Sequence, residues 1–377
     1  MNIAFFCDSY IPVSSGAVVS IETLRLELEK RGHRVFIFCP KYKTWDLKDP
    51  RVCRMKTKFA SRDEFRPLKY PVLSHTKDQL AKLKLDVVHC HSEYDIFDYG
   101  LKIAGSLGIP IVQTYYKIFP YEIKLAKKFN RSAYHASVKK LINYSKQCDK
   151  IIALSQTQRK ILQNLGVMTP IDIIPVGVFA KDYVAVPKGS LKKDFEIKED
   201  KIILYVGSLE ENGNFTEVIK AFRKIYKTMD DVHLLVIGAG SKSTYFKLVS
   251  EKLGLENRIT YTGILPKNVV NKIYGAVDLL VYPKTLDPQP LVVTESLAAG
   301  TPVVAQAGAG AQDFVFDNVD GLIAENNPQD LAEKIMMILK RDRLRLDLSI
   351  KARLNAQDYR SSKLTGDLLE LYESLIS

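Results

Sequence analysis

The sequence predicts an α/β protein made of two doubly wound, Rossmann-like domains. Three observations carry this. The chain has 377 residues, a length that suits two domains. In each half, short continuous apolar runs alternate with helical patterns, the order that builds a parallel sheet flanked by helices. Between the halves, residues 179–200 are polar and Lys-rich, with Pro187 and Gly189, and read as a linker with a boundary near residue 180.

Bulk properties narrow the class. Hydrophobic residues make up 46% and charged residues 26%, the balance of a soluble globular protein. No apolar run approaches the roughly 18 residues of a membrane span. The opening MNIAFFCDSY enters a strand directly, without a basic n-region or cleavage site, so a cytoplasmic location is expected. The five cysteines are scattered without a CxxC pair, and Cys7, Cys39 and Cys90 sit in strand patterns as expected buried thiols. Charge divides the chain. Residues 1–180 hold 29 Lys and Arg against 16 Asp and Glu, a net +13, while residues 181–377 hold 26 against 27, a net −1. The first half is therefore expected to meet an anionic partner, whether a membrane surface, a nucleic acid or an acidic substrate.

In chain order, 2–8 (NIAFFCD) is a predicted strand, followed by a loop with Pro12 and Gly16 and a helix from about 18 to 30. Strand, glycine-bearing loop and helix can bring backbone N–H groups to a phosphate, although the spacing is not GxGxxG. The next predicted strand is 35–39, and 41–76 is irregular, basic and aromatic. The strand 86–92 (DVVHCHS) carries His89 and His91 on one face, and His91, nearer the carboxyl end, is the candidate site residue. A helix and the strand 110–116 (PIVQTYY) follow. Residues 119–146 read as one basic helix with Lys124, Lys127, Lys128, Arg131, Lys139 and Lys140, interleaved with aromatic residues. Such a surface fits an anionic membrane interface or a nucleic acid, and equally a solvated helix whose aromatics face the core. Strands at 150–155 and 171–177 end the first half.

The second half opens with the predicted strand 201–207, the loop SLEENGN and a helix over 215–229. Strands at 233–240, ending in Gly238-Ala239-Gly240, and at 259–265 follow, then a helix over 269–276. The strand 279–282 leads through Asp287, Pro288 and Pro290 into a helix over 291–299, closed by Gly300, and then into the strand 303–305. Ligands bind such βαβ units at the carboxyl ends of the strands. Asp287 and Glu295 flank the loop, and Glu295 lies near the apolar side of its helix, where a buried acid needs partners. A strand at 322–324 and helices over 328–339, 341–355 and 362–376 complete the pattern.

Residues 283–305, PKTLDPQPLVVTESLAAGTPVVA, resemble the Glu-x7-Glu segment of retaining family-4 glycosyltransferases, with Asp287 and Glu295 at the two acids. Residues 9–40 resemble the opening segment of that family. Residues 128–162, KFNRSAYHASVKKLINYSKQCDKIIALSQTQRKIL, resemble the subgroup that glycosylates diacylglycerol. The resemblance implies a GT-B fold, with two Rossmann-like domains facing a central cleft. Residues 1–180 would be the acceptor-side domain and 181–358 the nucleotide-sugar-side domain, with 359–377 a helix crossing back to the first. It implies that Glu295 contacts the donor ribose, that Asp287 lies near the sugar together with His91 and Tyr116, and that Gly16 faces donor phosphates and acceptor. Gly238 and Gly240 match the family's Gly-x-Gly turn. Ser208 and Gly213 stand where the family has the Arg and Lys that grip the diphosphate, and Tyr116 stands where similar lipid glycosyltransferases have a histidine.

The activity so implied is transfer of a hexose, with retention, from a nucleotide-sugar such as a UDP- or GDP-hexose to a membrane-lipid or similar acceptor. No cofactor or metal is expected, the nucleotide-sugar being a substrate. The basic first domain would rest on an anionic bilayer through Lys124, Lys127, Lys128, Arg131, Lys139 and Lys140, peripheral on the inner face of the cell membrane. The changes at Tyr116, Ser208, Gly213 and Asp287 also support a second reading, a catalytically inert GT-B protein acting as a partner or binding subunit.

Overall fold

The computed structural model describes all residues except 14, 42–48, 58–70, 73–79, 92–94, 118–129, 184–185, 211–212, 285–286, 288, 309 and 377. The chain divides into two units. The first comprises Met1–Gly177 together with Ser361–Ser377, and the second is Val178–Arg360.

The first unit is built on eight strands: β1 (Asn2–Cys7), β2 (Arg34–Pro40), β3 (Val52–Thr57), β4 (Pro71–Val72), β5 (Val87–His91), β6 (Ile111–Thr114), β7 (Lys150–Ala153) and β8 (Ile171–Ile173). Their order is β4-β3-β2-β1-β5-β6-β7-β8, parallel except for the β3–β4 pair. β1 is central, and Ile3 to Cys7 are all buried, as expected of a parallel strand covered on both faces. Its neighbours β2 and β5 lie on opposite sides, so the topological switch point falls between β1 and β5.

Helices α1 (Gly16–Lys30), α2 (Asp95–Leu107), α3 (Arg131–Ser145) and α4 (Gln156–Asn164) flank this sheet. Ser15, Asn130 and Ser155 cap α1, α3 and α4 by accepting from the N–H of the third residue on. The Asn130 cap corrects the single basic helix expected over 119–146. Asn130 has extended backbone (φ −109°, ψ 103°), so α3 starts at Arg131, and residues 119–129 of the expected helix lie outside the described residues.

The second unit carries β9 (Lys201–Val206), β10 (Val232–Ile237), β11 (Ile259–Gly263), β12 (Leu279–Tyr282), β13 (Val303–Gln306) and β14 (Gly321–Ala324), in the order β11-β10-β9-β12-β13-β14, all parallel. Its switch point lies between β9 and β12. The helices are α5 (Lys188–Asp194), α6 (Phe215–Tyr226), α7 (Ser243–Lys252), α8 (Lys267–Tyr274), α9 (Leu291–Ala299), α10 (Pro328–Leu339) and α11 (Asp342–Asn355). Alternate strand residues feed opposite faces. Ile203 and Tyr205 join Phe215, Phe222 and Leu331 on one side, while Ile202 and Leu204 join Val293 and Leu297 on the other. The Lys-rich stretch read as a linker holds α5 and sends Tyr183, Leu191 and Ile197 into this second core.

The C-terminal helix Ser361–Ile376 belongs to the first unit. It buries Leu364, Leu368, Leu371 and Tyr372 in a cluster with Ile21 and Leu28 of α1. The chain passes so near Gly177 that a Cβ there would overlap the Ser361 backbone. The Tyr372 hydroxyl hydrogen-bonds His89 Nδ1, and His89 Nε2 lies 2.7 Å from Thr114 Oγ1.

Burial, with His91 alongside, holds the His89 imidazole well below its ordinary pKa of 6.5. Below about pH 6.5 the unfolded chain therefore takes up a proton that the folded chain refuses, and stability falls as pH falls. For one such group the slope reaches about 1.4 kcal/mol per pH unit. Urea unfolding at a series of pH values should show His89→Gln to be shallower than the parent between pH 6.5 and 4. Parallel slopes would place the proton uptake elsewhere.

Candidate functional site

In the first unit, four residues gather at the carboxyl ends of β1, β5 and β6. Gly16 is the first residue of α1 and is exposed. Ser20 lies one turn further along α1. His91 ends β5, and Tyr116 lies just past β6. The Tyr116 hydroxyl is 2.9 Å from Ser20 Oγ and 2.9 Å from His91 Nδ1. The far ring nitrogen of His91, Nε2, is buried with no hydrogen-bond partner among the described residues. The residue is only 5% exposed, and Phe5 meets its ring edge-on at 4.6 Å.

Burial lowers the His91 pKa to about 3, so the imidazole is neutral at physiological pH. Burial likewise pushes the Tyr116 phenol above its ordinary value. The tyrosine has a single proton to place between Ser20 and His91. If it donates to Nδ1, then Nε2 presents an N–H; if Nδ1–H donates to the tyrosine, Nε2 presents a lone pair. Either way, Nε2 is an uncharged group that can donate or accept. His89 differs, because both its ring nitrogens have partners within the unit.

In the second unit, the predicted donor residues surround the β9/β12 switch point. The Tyr205 hydroxyl donates to the Ser208 carbonyl at 3.0 Å and lies 3.5 Å from the Gly213 carbonyl. A Cβ at Gly213 would overlap the Ser208 carbonyl oxygen. Glycine is thus required there by close approach and not by a positive φ. Gly238 has φ +139°, and a Cβ on Gly238 or Gly240 would overlap Gly207 or Leu209. These two glycines let the loop after β9 lie against the loop after β10, where Leu209 N–H donates to the Ala239 carbonyl at 3.1 Å. Glu210 accepts from the backbone N–H and hydroxyl of Ser241, which hold its carboxyl below the usual range.

Asn214, in the left-handed region at φ 52°, donates from its side-chain amide to the Pro283 carbonyl at 3.1 Å and so ties the β9 loop to the end of β12. Lys284 comes next, with Nζ 3.8 Å from Asp287 Oδ2. Asp287 also accepts from the Tyr282 hydroxyl at 2.8 Å. Glu295, on α9, is buried. It accepts from Lys267 Nζ and from the Tyr274 hydroxyl at 3.0 Å, both on α8. The same carboxylate and, above all, burial raise the Tyr274 and Tyr183 phenols. Each acid at this rim thus has a lysine close by: Lys284 at Asp287, Lys267 at Glu295, and Lys242 acting on Glu210.

Sequence reasoning passed over Ser20, Lys267 and Lys284. Ser20 lies four residues after Gly16, a spacing that puts both on one side of α1. Lys284 sits inside the acidic-motif segment, where attention went to the two carboxylates. Of the predicted membrane residues, Lys124, Lys127 and Lys128 lie outside the described residues. Arg131, Lys139 and Lys140 are exposed on α3. Tyr144 of α3 stacks on Phe97 at 4.4 Å, and its hydroxyl donates to Asp98, so this aromatic is turned inward. No helix among the described residues is long and apolar enough to cross a membrane.

Comparison with known proteins agrees with both halves of this picture. Residues 14–180 match the model of Glycosyltransferase Family 4, and residues 188–355 match that of Glycosyl transferases group 1. The chain is 28% identical to the alpha-monoglucosyldiacylglycerol synthase of Streptococcus pneumoniae, over 90% of this chain and 78% of that protein. It is 26% identical to the enzyme of the same name from Acholeplasma laidlawii, over 100% and 98%. Anabaena Alr3699/HepE in complex with UDP superposes with a TM-score of 0.80 at 17% identity, covering 100% of each chain. WaaG, a glycosyltransferase involved in lipopolysaccharide biosynthesis, gives 0.74 at 18%, covering 98% of this chain and 99% of that one. The fold is GT-B. With one family domain in each half, the chain belongs to the family-4 glycosyltransferases and is a glycosyltransferase enzyme.

Proposed function

We propose that the enzyme moves a hexose, with retention of configuration, from a nucleoside-diphosphate sugar to a membrane-lipid acceptor, working on the cytoplasmic face of the cell membrane. The observation that carries the sugar assignment is the buried, neutral His91 whose Nε2 has no partner among the described residues. A lone buried nitrogen of this kind costs stability unless a ligand satisfies it. A sugar hydroxyl, both donor and acceptor, suits either tautomer. The nucleotide half rests on the lysine-bearing rim at β9/β12 and on the relatives: two are named alpha-monoglucosyldiacylglycerol synthases, and Alr3699/HepE was crystallised with UDP and with UDP-glucose.

As the glycosidic bond breaks, positive charge develops on the sugar ring and negative charge on the leaving diphosphate. Ser208 and Gly213 bring no cation to that diphosphate. In this reading Lys284 supplies it, aided by backbone N–H groups at the start of α6 and in the Gly238–Gly240 turn. Glu295 already accepts from Lys267 and Tyr274, and a carboxylate has about four acceptor positions, which leaves room for a ribose hydroxyl. Asp287, held by Tyr282, lies on the sugar side. Gly16 offers a helix N-terminus to phosphate or acceptor.

Calorimetry with UDP, GDP and their hexose conjugates tests the donor assignment, and no heat from any of them would overturn it. One hydrogen bond to a charged group is worth about 1.5–3 kcal/mol, roughly 10- to 100-fold in affinity. Lys284→Ala should weaken nucleoside-diphosphate binding by about that factor, with an unchanged thermal midpoint. Ser208→Arg should strengthen it. Gly213→Lys should not, because the loop has no space for its Cβ.

A second expectation concerns the tyrosine. Tyr116→Phe removes the hydroxyl that orients His91 and should lower kcat by about 10- to 100-fold, as the loss of a positioning hydrogen bond does. UDP affinity, set in the second unit, should stay the same. An unchanged kcat would take Tyr116 and its link to His91 out of the site.

A further inference from the structure

The second unit carries a feature that the strand-end site leaves unused. Between α6 and α7 runs an open groove of about 470 Å³. Its floor is apolar, formed by Ile219 of α6, by Phe246 and Val249 of α7, and by Leu253 that caps α7. Lys220, Arg223 and Lys224 of α6 and Lys227, its C-cap, line it at spacings of three and four, so all four project along one side of the helix. All four are exposed. Lys220 pairs with Glu217 at 3.0 Å. Arg223, Lys224 and Lys227 have no ion pair with any described residue. Tyr245 of α7 also lines the groove and is 55% exposed, and Leu248, three residues further along α7, is 51% exposed.

Residues 181–377 are balanced in charge, with 26 cations against 27 acids, yet three unpaired cations converge on one helix edge. An exposed aromatic side chain beside cations and an apolar floor, with an exposed leucine three residues along the same helix, calls for a partner with both anionic and apolar parts. A nucleic acid offers phosphates but nothing aliphatic for Leu248 or the floor. A bilayer surface offers both, with headgroup phosphates for the cations and acyl chains for Leu248 and the groove.

We propose that the α6–α7 groove docks the second unit on anionic phospholipid. The bilayer contact expected of this chain lies in the basic first half, so this is a separate attachment. It includes none of the side chains assigned to nucleotide or sugar. It needs no donor, so its test stands or falls independently of glycosyl transfer.

The test is sedimentation of the full chain with phosphatidylglycerol–phosphatidylcholine vesicles against phosphatidylcholine alone. Each cation near an anionic surface contributes about a fivefold factor in partitioning, so Arg223→Gln, Lys224→Gln and Lys227→Gln together should weaken binding about 10²-fold. Leu248→Ser should weaken it further, even at low salt. Binding of the triple variant equal to that of the parent would overturn the proposal.

A site-specific readout guards against masking by the basic first half. The sequence has one tryptophan, Trp45. In a Trp45→Phe, Tyr245→Trp chain, anionic vesicles should shift the emission to the blue, and brominated acyl chains should quench it. Emission unchanged by vesicles, or quenched only by an acidic polypeptide, would overturn the lipid assignment.

Discussion

A parallel sheet wound outward from its middle leaves a gap where successive crossovers turn away from each other. Each half of this chain has one, at β1/β5 and at β9/β12. Everything assigned to function at the strand ends follows from those two gaps. At the first, α1 departs from the end of β1 just where β5 and β6 stop, which brings Ser20, His91 and Tyr116 into one hydrogen-bonded chain. At the second, the loops after β9 and β12 meet, and Asn214 joins them through the Pro283 carbonyl. The side chains differ in kind because the gaps differ in what surrounds them. The first is lined by fully buried strand, which keeps the imidazole neutral. The second has a rim of partly exposed lysines, set beside a partly exposed Asp287 and a buried Glu295.

Much of the fold was legible in the sequence because burial and period agree. The central strands are continuous apolar runs, and the 291–299 helix closes on Gly300 at φ 78°, as its sequence position requires. What failed did so for local reasons. The 179–200 stretch looked like a linker because it is polar and Lys-rich and holds Pro187 and Gly189, yet Tyr183, Leu191 and Ile197 suffice to anchor it in the core. The helix Ser243–Lys252 was overlooked because Tyr245 and Leu248 break its amphipathic pattern by facing solvent. Asn130 was read as one residue inside a long helix, and its capping geometry makes it a start.

The candidate site was legible at the level of motifs and much less so at the level of contacts. Motif spacing located Asp287 and Glu295, but only the fold reveals that Glu295 is already engaged by Lys267 and Tyr274. The glycines are the clearer lesson. Gly213 reads as a lost cation when compared with a motif. In three dimensions it is a contact point between two backbone segments, and the Tyr205 hydroxyl bridges the carbonyls on either side. A lysine could not be restored there without opening the loop, so the change at 213 and the packing around Tyr205 belong together.

That coupling bears on how a cleft can lose two expected cations and still serve an anionic substrate. A diphosphate needs positive charge at the switch point, and it is indifferent to which strand delivers it. The β9 loop has become a tight, closed turn with an acid, Glu210, tied back to Ser241. The β12 end carries Lys284, adjacent to the carbonyl that Asn214 grips. The 3.8 Å separation of Lys284 from Asp287 is a loose pairing, and a partly exposed one, so the ammonium can turn toward a stronger anion at little cost. On the proposed function, charge has moved from one side of the β9/β12 seam to the other. The seam itself is held by Asn214, whose side-chain amide donates to the Pro283 carbonyl.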